Sequence, residues 1–249
     1  TTAQEGIMSQ DEFNILKKAS ENNNLICDII GYADMKKDPL LLEKNKSYYK
    51  KYINRLKIGG YKIFLDGSPQ GRTAWMKTSY KDDKNYFGYP IYQDREVENF
   101  VSLCYKNNIQ ILCHCNGDAA IQQYLSALEK EKNNNDIRPV IIHAQFMEKS
   151  QLDKVKKVSA IPSYFIAHTY FWGDVHIKNF GKERADLISP LKSTVDKNIT
   201  FTLHQDTPVI YPDMLFTVWC ASSRITKNNI SLCQDETITP YQALKAVTI

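Results

Sequence analysis

The stretch Gly60-Tyr-Lys-Ile-Phe-Leu-Asp-Gly-Ser-Pro-Gln-Gly-Arg-Thr-Ala-Trp75 is an apolar run that carries a lysine and then breaks into a loop containing Gly and Pro. If residues 61–66 form a strand, the alternation of side chains places Lys62, Phe64 and Asp66 on one face. An unpaired ammonium on the inner face of a buried strand costs roughly several kcal/mol, so such a lysine is usually neutralised, ion-paired or chemically used. Taken alone, Lys62 could also be an ordinary edge-strand lysine or the partner of Asp66.

Three later apolar runs also end in residues that can bind a metal ion. They are Ile109-Gln-Ile-Leu-Cys-His-Cys-Asn116, Pro139-Val-Ile-Ile-His143 and Ile199-Thr-Phe-Thr-Leu-His-Gln-Asp206. His114 and His143 could each be a core histidine whose nitrogens bond to the backbone. At matching strand ends, however, the two imidazoles indicate ligands to one divalent ion. Asp206 could bind the same ion and take a proton from a water that the ion activates.

The composition is that of a protein with one large core. The chain has 249 residues, of which 43% are hydrophobic and 24% charged, and its formal net charge is +4. Lysines are interspersed with acids, so binding to nucleic acid or to a membrane surface is a weak hypothesis. The sequence has no apolar run of about 18 residues and no signal-type segment, and its cysteines lie mostly in apolar patterns. These features predict a reduced, cytoplasmic protein.

Strands alternate with helices along the chain, which predicts an α/β fold. Six strands are predicted, at residues 25–32, 61–66, 109–115, 139–144, 160–167 and 199–204. A helix is predicted over residues 40–57. The strands are near-continuous apolar runs, as in a parallel sheet covered by helices. No Gly-x-Gly-x-x-Gly or phosphate-binding loop follows any strand, and the candidate ligands lie at carboxyl ends of several strands, where (β/α)8 barrels place their sites.

Five motifs resemble those of a known family, the YtcJ-like branch of the amidohydrolase superfamily. They are Lys-Ile-Phe-Leu-Asp-Gly-Ser (62–68), His-Cys-Asn-Gly-Asp-Ala-Ala (114–120), Arg-Pro-Val-Ile-Ile-His-Ala-Gln (138–145), His-Thr-Tyr-Phe-Trp-Gly-Asp (168–174) and Leu-His-Gln-Asp-Thr-Pro-Val (203–209). They occur in the family's order. The resemblance implies a metal-dependent hydrolase of C–N bonds, built on a (β/α)8 TIM-type barrel with a small β-domain formed by the two chain ends.

The resemblance also implies a role for each candidate ligand. Lys62 matches a fourth-strand lysine that is often carboxylated and bridges two metal ions. His114 and His143 match the ligands of the fifth and sixth strands, and Asp206 matches the eighth-strand acid that activates the water. His204 could orient Asp206 or contact the leaving group. The implied cofactor is one or two divalent ions, with zinc as the first expectation and manganese or iron as alternatives.

Weaker candidates for binding a small-molecule substrate lie in two other segments: Gln70, Arg72, His168, Trp172, Asp174 and His176. The first two lie in a long loop after the lysine strand, where the fork of Arg72 could bind a carboxylate. The alternative for this arginine is a solvated side chain. The others follow the predicted strand 160–167, where the alternative is a packed aromatic loop.

The sequence also departs from the family. It contains no His-x-His pair, which in the family completes the metal site from the first strand. Residues 1–6 are too short for an independent element and look like the end of the family's second strand. We therefore expect a fragment, a partial barrel of about six strands in one domain over residues 1–249. Its exposed sheet edges could pair with a second copy of the chain.

Two functions remain open at this point. The first is a metal-dependent hydrolase that acts on amide-type C–N bonds through a metal-activated water, with activity reduced in a truncated chain. The second is a non-catalytic barrel remnant that binds a small molecule or a partner chain without metal. Metal content would distinguish them.

Overall fold

The computed structural model describes residues 2–248 and contains one curved sheet of parallel strands. Seven strands pair in chain order: β1 Thr2–Met8, β2 Asp28–Asp34, β3 Leu56–Phe64, β4 Gln110–Cys115, β5 Val140–His143, β6 Ile161–Tyr164 and β7 Thr202–Leu203. Within the described residues the sheet is open, because β1 pairs only with β2 and β7 only with β6. The predicted α/β architecture, an incomplete (β/α)8-type barrel, is confirmed.

The strand count differs from the prediction by one. The additional strand is β1, which pairs in parallel with β2 through residues such as Gln4 and Ile30. The resemblance had suggested the end of a strand over residues 1–6, but that segment was judged too short to count as an element. Its sequence is polar and only Met8 is buried, so it lacks the apolar run by which the other strands were predicted. An edge strand needs less apolar surface than a central one. Thr1, which the prediction grouped with this segment, lies outside the described residues.

Ten α-helices connect or cover the strands in the described part of the chain. They are α1 Gln10–Glu21, α2 Leu41–Lys44, α3 Asp94–Lys106, α4 Asp118–Glu131, α5 Leu152–Val158, α6 His168–Phe180, α7 Lys182–Ala185, α8 Leu191–Asp196, α9 Met214–Ser223 and α10 Pro240–Thr248. None of these helices has the length and apolar character needed to cross a membrane.

The helix predicted over residues 40–57 is wrong. That segment forms the single turn of α2 and a 3-10 turn at Lys46–Tyr48, and Leu56 already belongs to β3. Asn54 and Arg55 have φ values of 44° and 70°, in the left-handed region, which reverses the chain immediately before the strand. The buried side chains of Leu42 and Tyr48 anchor the turns to the core, so tertiary packing overrides the helical spacing.

The main core lies between the outer face of the sheet and the helices. Cys113 and Cys115 of β4 point into this core and are fully buried. Val101 of α3 and Ile121 of α4 are buried in the same core. The apolar surroundings of the two cysteines agree with the apolar patterns in which they lie along the sequence. The inner face carries a separate, smaller apolar cluster that includes Leu112. Alternation along β4 therefore places His114 on the inner face, at the carboxyl end of the sheet.

Candidate metal centre

All five histidines of the chain lie in one continuous series at the carboxyl end of the sheet. Ring centroids are 4.5 Å apart for His114 and His143, and 5.1 Å for His143 and His204. The ring of Phe165 then contacts both His204 and His168, at 5.4 and 4.7 Å. The series ends at His168 and His176, which form a buried pair on α6. The strand ends therefore converge on one opening of the partial barrel, the mouth, which is lined by His114, His143, His168 and His204.

The tightest group of possible metal ligands is His143, His204 and Asp206, which offer ligand atoms within 4.8 Å of one another. His204 Nε2 lies 3.3 Å from His143 Nδ1. Two nitrogens bound to one tetrahedral zinc ion at about 2.0–2.1 Å lie about 3.3 Å apart, so the pair is already spaced for a shared ion. Two nitrogens and a carboxylate form a donor set that suits a divalent transition metal.

An unusual backbone conformation sets the direction of two of these ligand side chains, those of His143 and Asp206. His143 pairs in register with Cys115, whose side chain points outward, so simple alternation would turn His143 outward as well. Instead, His143 has a φ of 72° at the end of β5, and its ring contacts inward-facing His114. Asp206 likewise has a φ of 57°. Left-handed conformations at residues other than Gly are uncommon and concentrate at functional sites.

His114 lies beside the group of three and is held by the neighbouring loop. Its Nε2 is 3.1 Å from the carbonyl oxygen of Gly67 and 3.1 Å from Nδ2 of Asn116. Nδ2 of Asn116 already donates to the Gly67 carbonyl at 2.9 Å, so it needs no lone pair on Nε2. A proton on Nε2 can then be donated to the same carbonyl, which leaves the Nδ1 lone pair available as a ligand. The tautomer of His114 is thus one that could bind an ion through Nδ1.

The carboxylate of Asp66 organises the loops around His114. It accepts backbone N–H bonds from Trp75, Asn116 and Gly117 at 3.0, 2.9 and 2.7 Å, and it lies 3.5 Å from His114 Nε2. Burial raises the pKa of Asp66 to about 7, while the three N–H donors act in the opposite direction. From the sequence, Asp66 was expected only as a partner of Lys62, and this role was not predicted. The signal available was its place at the carboxyl end of a strand.

Lys62 lies on the inner face of β3 and is 8% exposed. Its Nζ is 4.8 Å from the ring centroid of Phe64, and a Cβ added to Gly6 of β1 would lie 2.9 Å from it. Within residues 2–248, this Nζ forms no ion pair, so the suggested pairing with Asp66 does not occur there. Burial lowers the pKa of Lys62, and the nearby charge of Asp206 partly opposes that shift.

The histidines of the mouth are neutral at neutral pH. Burial lowers the pKa of His114 to about 4 and that of His204 to about 3, and it lowers the pKa values of His143 and His168 as well. The neutral imidazole is the form that binds metal ions. Burial also raises the pKa of Asp206, against the effect of the Lys62 charge, which is the direction expected for a group that exchanges protons near neutral pH.

The structure brings three of the predicted site residues together in one tight group. His143 and Asp206 lie together as expected, and His204, which was expected to orient Asp206 or contact the leaving group, lies with them as a possible ligand. His114 and Lys62 flank this group at the same mouth and are not part of its tight cluster. Their participation in metal binding stays a prediction.

The two loop candidates are largely packed against their own loop. The Arg72 guanidinium lies 5.2 and 5.8 Å from the ring centroids of Tyr80 and Tyr86. Its Nε and the Oε1 of Gln70 are buried and have no hydrogen-bond partner in the described part of the chain. The stacking of Arg72 holds the loop together, and its predicted contact with a substrate carboxylate stays a prediction.

The segment predicted as a pocket-lining or packed loop is the first part of helix α6. His168 packs on Trp172 with ring centroids 4.8 Å apart, and both contact Phe165. Asp174 accepts a hydrogen bond from Thr226 Oγ1 at 3.0 Å. Asp174 is therefore engaged by the segment that follows α9, whereas His168 and Trp172 lie beside the metal-ligand group.

The fold is shared with known hydrolase structures. An uncharacterized metal-dependent hydrolase from Pyrococcus furiosus superposes with a TM-score of 0.82 at 22% identity, covering 98% of this chain and 49% of that protein. This likeness is one of fold.

Two sequence relatives each align with 78% of the chain. YtcJ of Bacillus subtilis (strain 168), named as an amidohydrolase, is 26% identical over 199 residues, which are 37% of its length. The N-substituted formamide deformylase of Arthrobacter pascens is 25% identical over 197 residues, 36% of its length. The chain thus spans little more than a third of these relatives. The model of the Amidohydrolase family matches residues 1–249, and the chain belongs to this family.

Proposed function

We propose that this chain carries the metal-binding part of a hydrolase that cleaves amide-type C–N bonds of a small molecule. The observation that carries the proposal is the convergence of His143, His204 and Asp206 within 4.8 Å at the carboxyl end of a parallel sheet. Barrels of this type place their active sites at that end. Membership of the Amidohydrolase family supports the same reaction class.

A divalent cation is the cofactor that these residues fit, with zinc as the first expectation and manganese or iron as alternatives. Neutral imidazoles and one carboxylate bind all three ions. When bound, such an ion polarises a carbonyl group and lowers the pKa of a coordinated water from about 15.7 to about 7. The residues that would hold it are His143, His204 and Asp206, with the ring of His114 next to that of His143.

The surroundings of the ligands support the proton transfers of the proposed reaction. Asp206 accepts a proton from the attacking water and passes it to the departing nitrogen, a task for which a raised pKa is suited. Ser163 Oγ lies 3.0 Å from His204 Nδ1 and accepts a bond from Thr202 Oγ1 at 2.8 Å. Ser163 Oγ has a second lone pair and can therefore accept a bond from Nδ1–H of His204, which orients the ring and leaves the Nε2 lone pair facing His143.

Lys62 is expected to act as a carboxylated lysine. Its unprotonated amine attacks carbon dioxide, an N–C bond forms as one C=O π bond opens onto oxygen, and the nitrogen gives up a proton to water to leave an anionic carbamate. Burial favours this step because it lowers the pKa of the ammonium and raises the fraction of free amine. The carbamate would add a second anionic ligand to a mouth in which Asp206 is grouped with neutral imidazoles. Bicarbonate should then raise the metal affinity of the wild-type chain and leave that of Lys62→Met unchanged.

The choice of C–N bonds draws on the named activity of one relative, the N-substituted formamide deformylase. An N-substituted formamide is therefore the substrate with which to test the proposal. We expect amine release by the zinc-loaded chain to fall about 100-fold or more in Asp206→Asn, because the proton acceptor is lost. Asp153→Asn, an exposed carboxylate paired with Lys197, is the control and should keep the rate.

The competing function is a barrel that binds its ligand without metal. A folded chain that takes up no zinc and releases no amine would favour it over the hydrolase. Amine release that is insensitive to chelator and to Asp206→Asn would also contradict the proposal.

A further inference from the structure

The two histidines of helix α6 form a buried pair beside the candidate metal centre. His168 and His176 are eight positions apart, about two helical turns, so they share one face. Nδ1 of His168 lies 3.2 Å from Nε2 of His176, and the ring planes differ by 7°. His168 is 3% exposed and His176 is 0% exposed. This contact is a hydrogen bond between two imidazoles that water does not reach freely.

Because both rings are neutral, each carries one ring N–H, and only one of the two facing nitrogens is protonated. Burial lowers the pKa of His176 to about 3 and that of His168 well below its usual value. Nδ1 of His176 is buried without a partner among residues 2–248, and the ring of Phe146 lies 5.8 Å away. A buried N–H without an acceptor is rarer in proteins than a buried acceptor without a donor. The proton of His176 therefore belongs on Nε2, and it is donated to His168.

This arrangement fixes the tautomer of the second ring. Because Nδ1 of His168 accepts a hydrogen bond, its own proton must lie on Nε2. Within residues 2–248 this Nε2 has no hydrogen-bond partner, and part of its surface is accessible, so it is available to bond to a ligand. Phe165 and Trp172 hold the ring from two sides at 4.7 and 4.8 Å.

We propose that His176 is a positioning residue that locks His168 as the Nε2–H tautomer, and that His168 donates this hydrogen to a carbonyl oxygen of the substrate. A neutral, oriented donor suits an uncharged carbonyl, whereas an anionic group would favour a cation such as arginine. Phe165, which contacts both His168 and His204, places the donor one aromatic ring away from the metal ligands. The substrate contact rests on the proposed function, and the tautomer does not.

The tautomer can be measured directly in the metal-free chain. Long-range proton–nitrogen correlation spectra of protein labelled with nitrogen-15 histidine distinguish Nε2–H from Nδ1–H rings, and the His168 signals are those missing in His168→Gln. We expect the Nε2–H pattern for His168 in the wild type. An Nδ1–H pattern would overturn the proposal, whatever the hydrolase assay gives. This measurement does not depend on whether a variant of His176 folds.

Two substitutions of the positioning residue form a matched pair. By bond count, the amide nitrogen of His176→Gln can reach the place of Nε2 and donate to His168, whereas that of His176→Asn stops at the level of Nδ1. We expect the Nε2–H pattern of His168 to persist in the Gln variant and to become a tautomer mixture in the Asn variant. Loss of the pattern in both, or in neither, would contradict the role of His176.

A kinetic readout tests the substrate contact separately. With an N-substituted formamide, the KM of His176→Asn should rise about two- to tenfold, the value of one hydrogen bond, and that of His176→Gln should stay near the wild-type value. An unchanged KM in the Asn variant would overturn the contact. If no variant and no wild-type chain hydrolyses the compound while the tautomer is as expected, the proposed hydrolysis fails and the positioning role stands.

Discussion

His143 Nδ1 and His204 Nε2 face each other at 3.3 Å although β6 separates the strands that carry them. The left-handed backbone of His143 turns one ring inward, and Ser163 of β6 contacts the other ring from behind, at 3.0 Å from Nδ1 of His204. The pair is therefore held in place by the protein before any ion binds. Such preorganisation lowers the cost of assembling a metal site.

Removing the support of His204 should weaken metal binding without removing a ligand. In Ser163→Ala, the ring of His204 loses its bond at Nδ1, and we expect zinc affinity to fall about 10- to 100-fold. Competition with a chromogenic chelator measures this change. Ser126→Ala, an exposed position on α4, is the control. An unchanged affinity in Ser163→Ala would show that the ring is oriented by other contacts.

The buried ammonium of Lys62 should make the metal-free chain less stable than it could be. Lys62 is 8% exposed and burial lowers its pKa, so the folded state bears a desolvation cost. We expect metal-free Lys62→Met to unfold in urea with a free energy at least equal to the wild type, and higher by as much as about 3 kcal/mol. A destabilisation larger than about 1 kcal/mol would mean that the ammonium has a stabilising partner.

Asp66 should be required for the loops that shape the mouth. Its two oxygens accept the backbone N–H groups of Trp75, Asn116 and Gly117. In Asp66→Asn, an amide NH2 replaces one acceptor and faces donors, so we expect the unfolding free energy to fall by about 2–4 kcal/mol. Urea unfolding measures the change. A loss below about 0.5 kcal/mol would indicate that water or the chain satisfies these donors instead.

The sequence predicted the strand ends well because their signals are local. A buried apolar run that ends in a ligand-type residue is visible at Lys62, His143 and Asp206, and all three lie at the same mouth. The inward aim of His143 was not predictable from alternation, which places it outward. It depends on a left-handed backbone that the periodicity of a strand does not encode.

Other features were hidden because tertiary contacts decide them. β1 is polar and exposed, and only pairing with β2 makes it a strand. Residues 168–176 contain aromatic and β-branched side chains and a glycine, which gave no clear helical signal, yet they form α6 with His168 buried. The three donors to Asp66 come from two separate segments of the chain, so no spacing in the sequence reveals them.

Acidification should destabilise the chain in part through His176. The pKa of this histidine is about 3 in the folded chain, and it is about 6.5 for an unfolded histidine. Between these values the unfolded chain binds one proton more, so the contribution of this histidine to stability is full above pH 6.5 and is lost as pH falls towards 3.

His176→Gln removes that titration and keeps a hydrogen-bond donor. From pH 7 to pH 5, we expect the wild type to lose about 2 kcal/mol more unfolding free energy than the Gln variant, since about 1.4 kcal/mol is lost per pH unit below about 6.5. Urea unfolding with chelator at both pH values provides the comparison. Equal losses in the two proteins would mean that His176 already titrates near its usual pKa.

The central claim is that His143, His204 and Asp206 hold a divalent ion, and metal content tests it most directly. After saturation with zinc and gel filtration, elemental analysis should give at least one zinc ion per wild-type chain and per His176→Gln chain. Far less should remain in His143→Gln and in His204→Gln, with the fold checked by circular dichroism. A folded wild-type chain without zinc, or zinc retained in full by both ligand variants, would contradict the account.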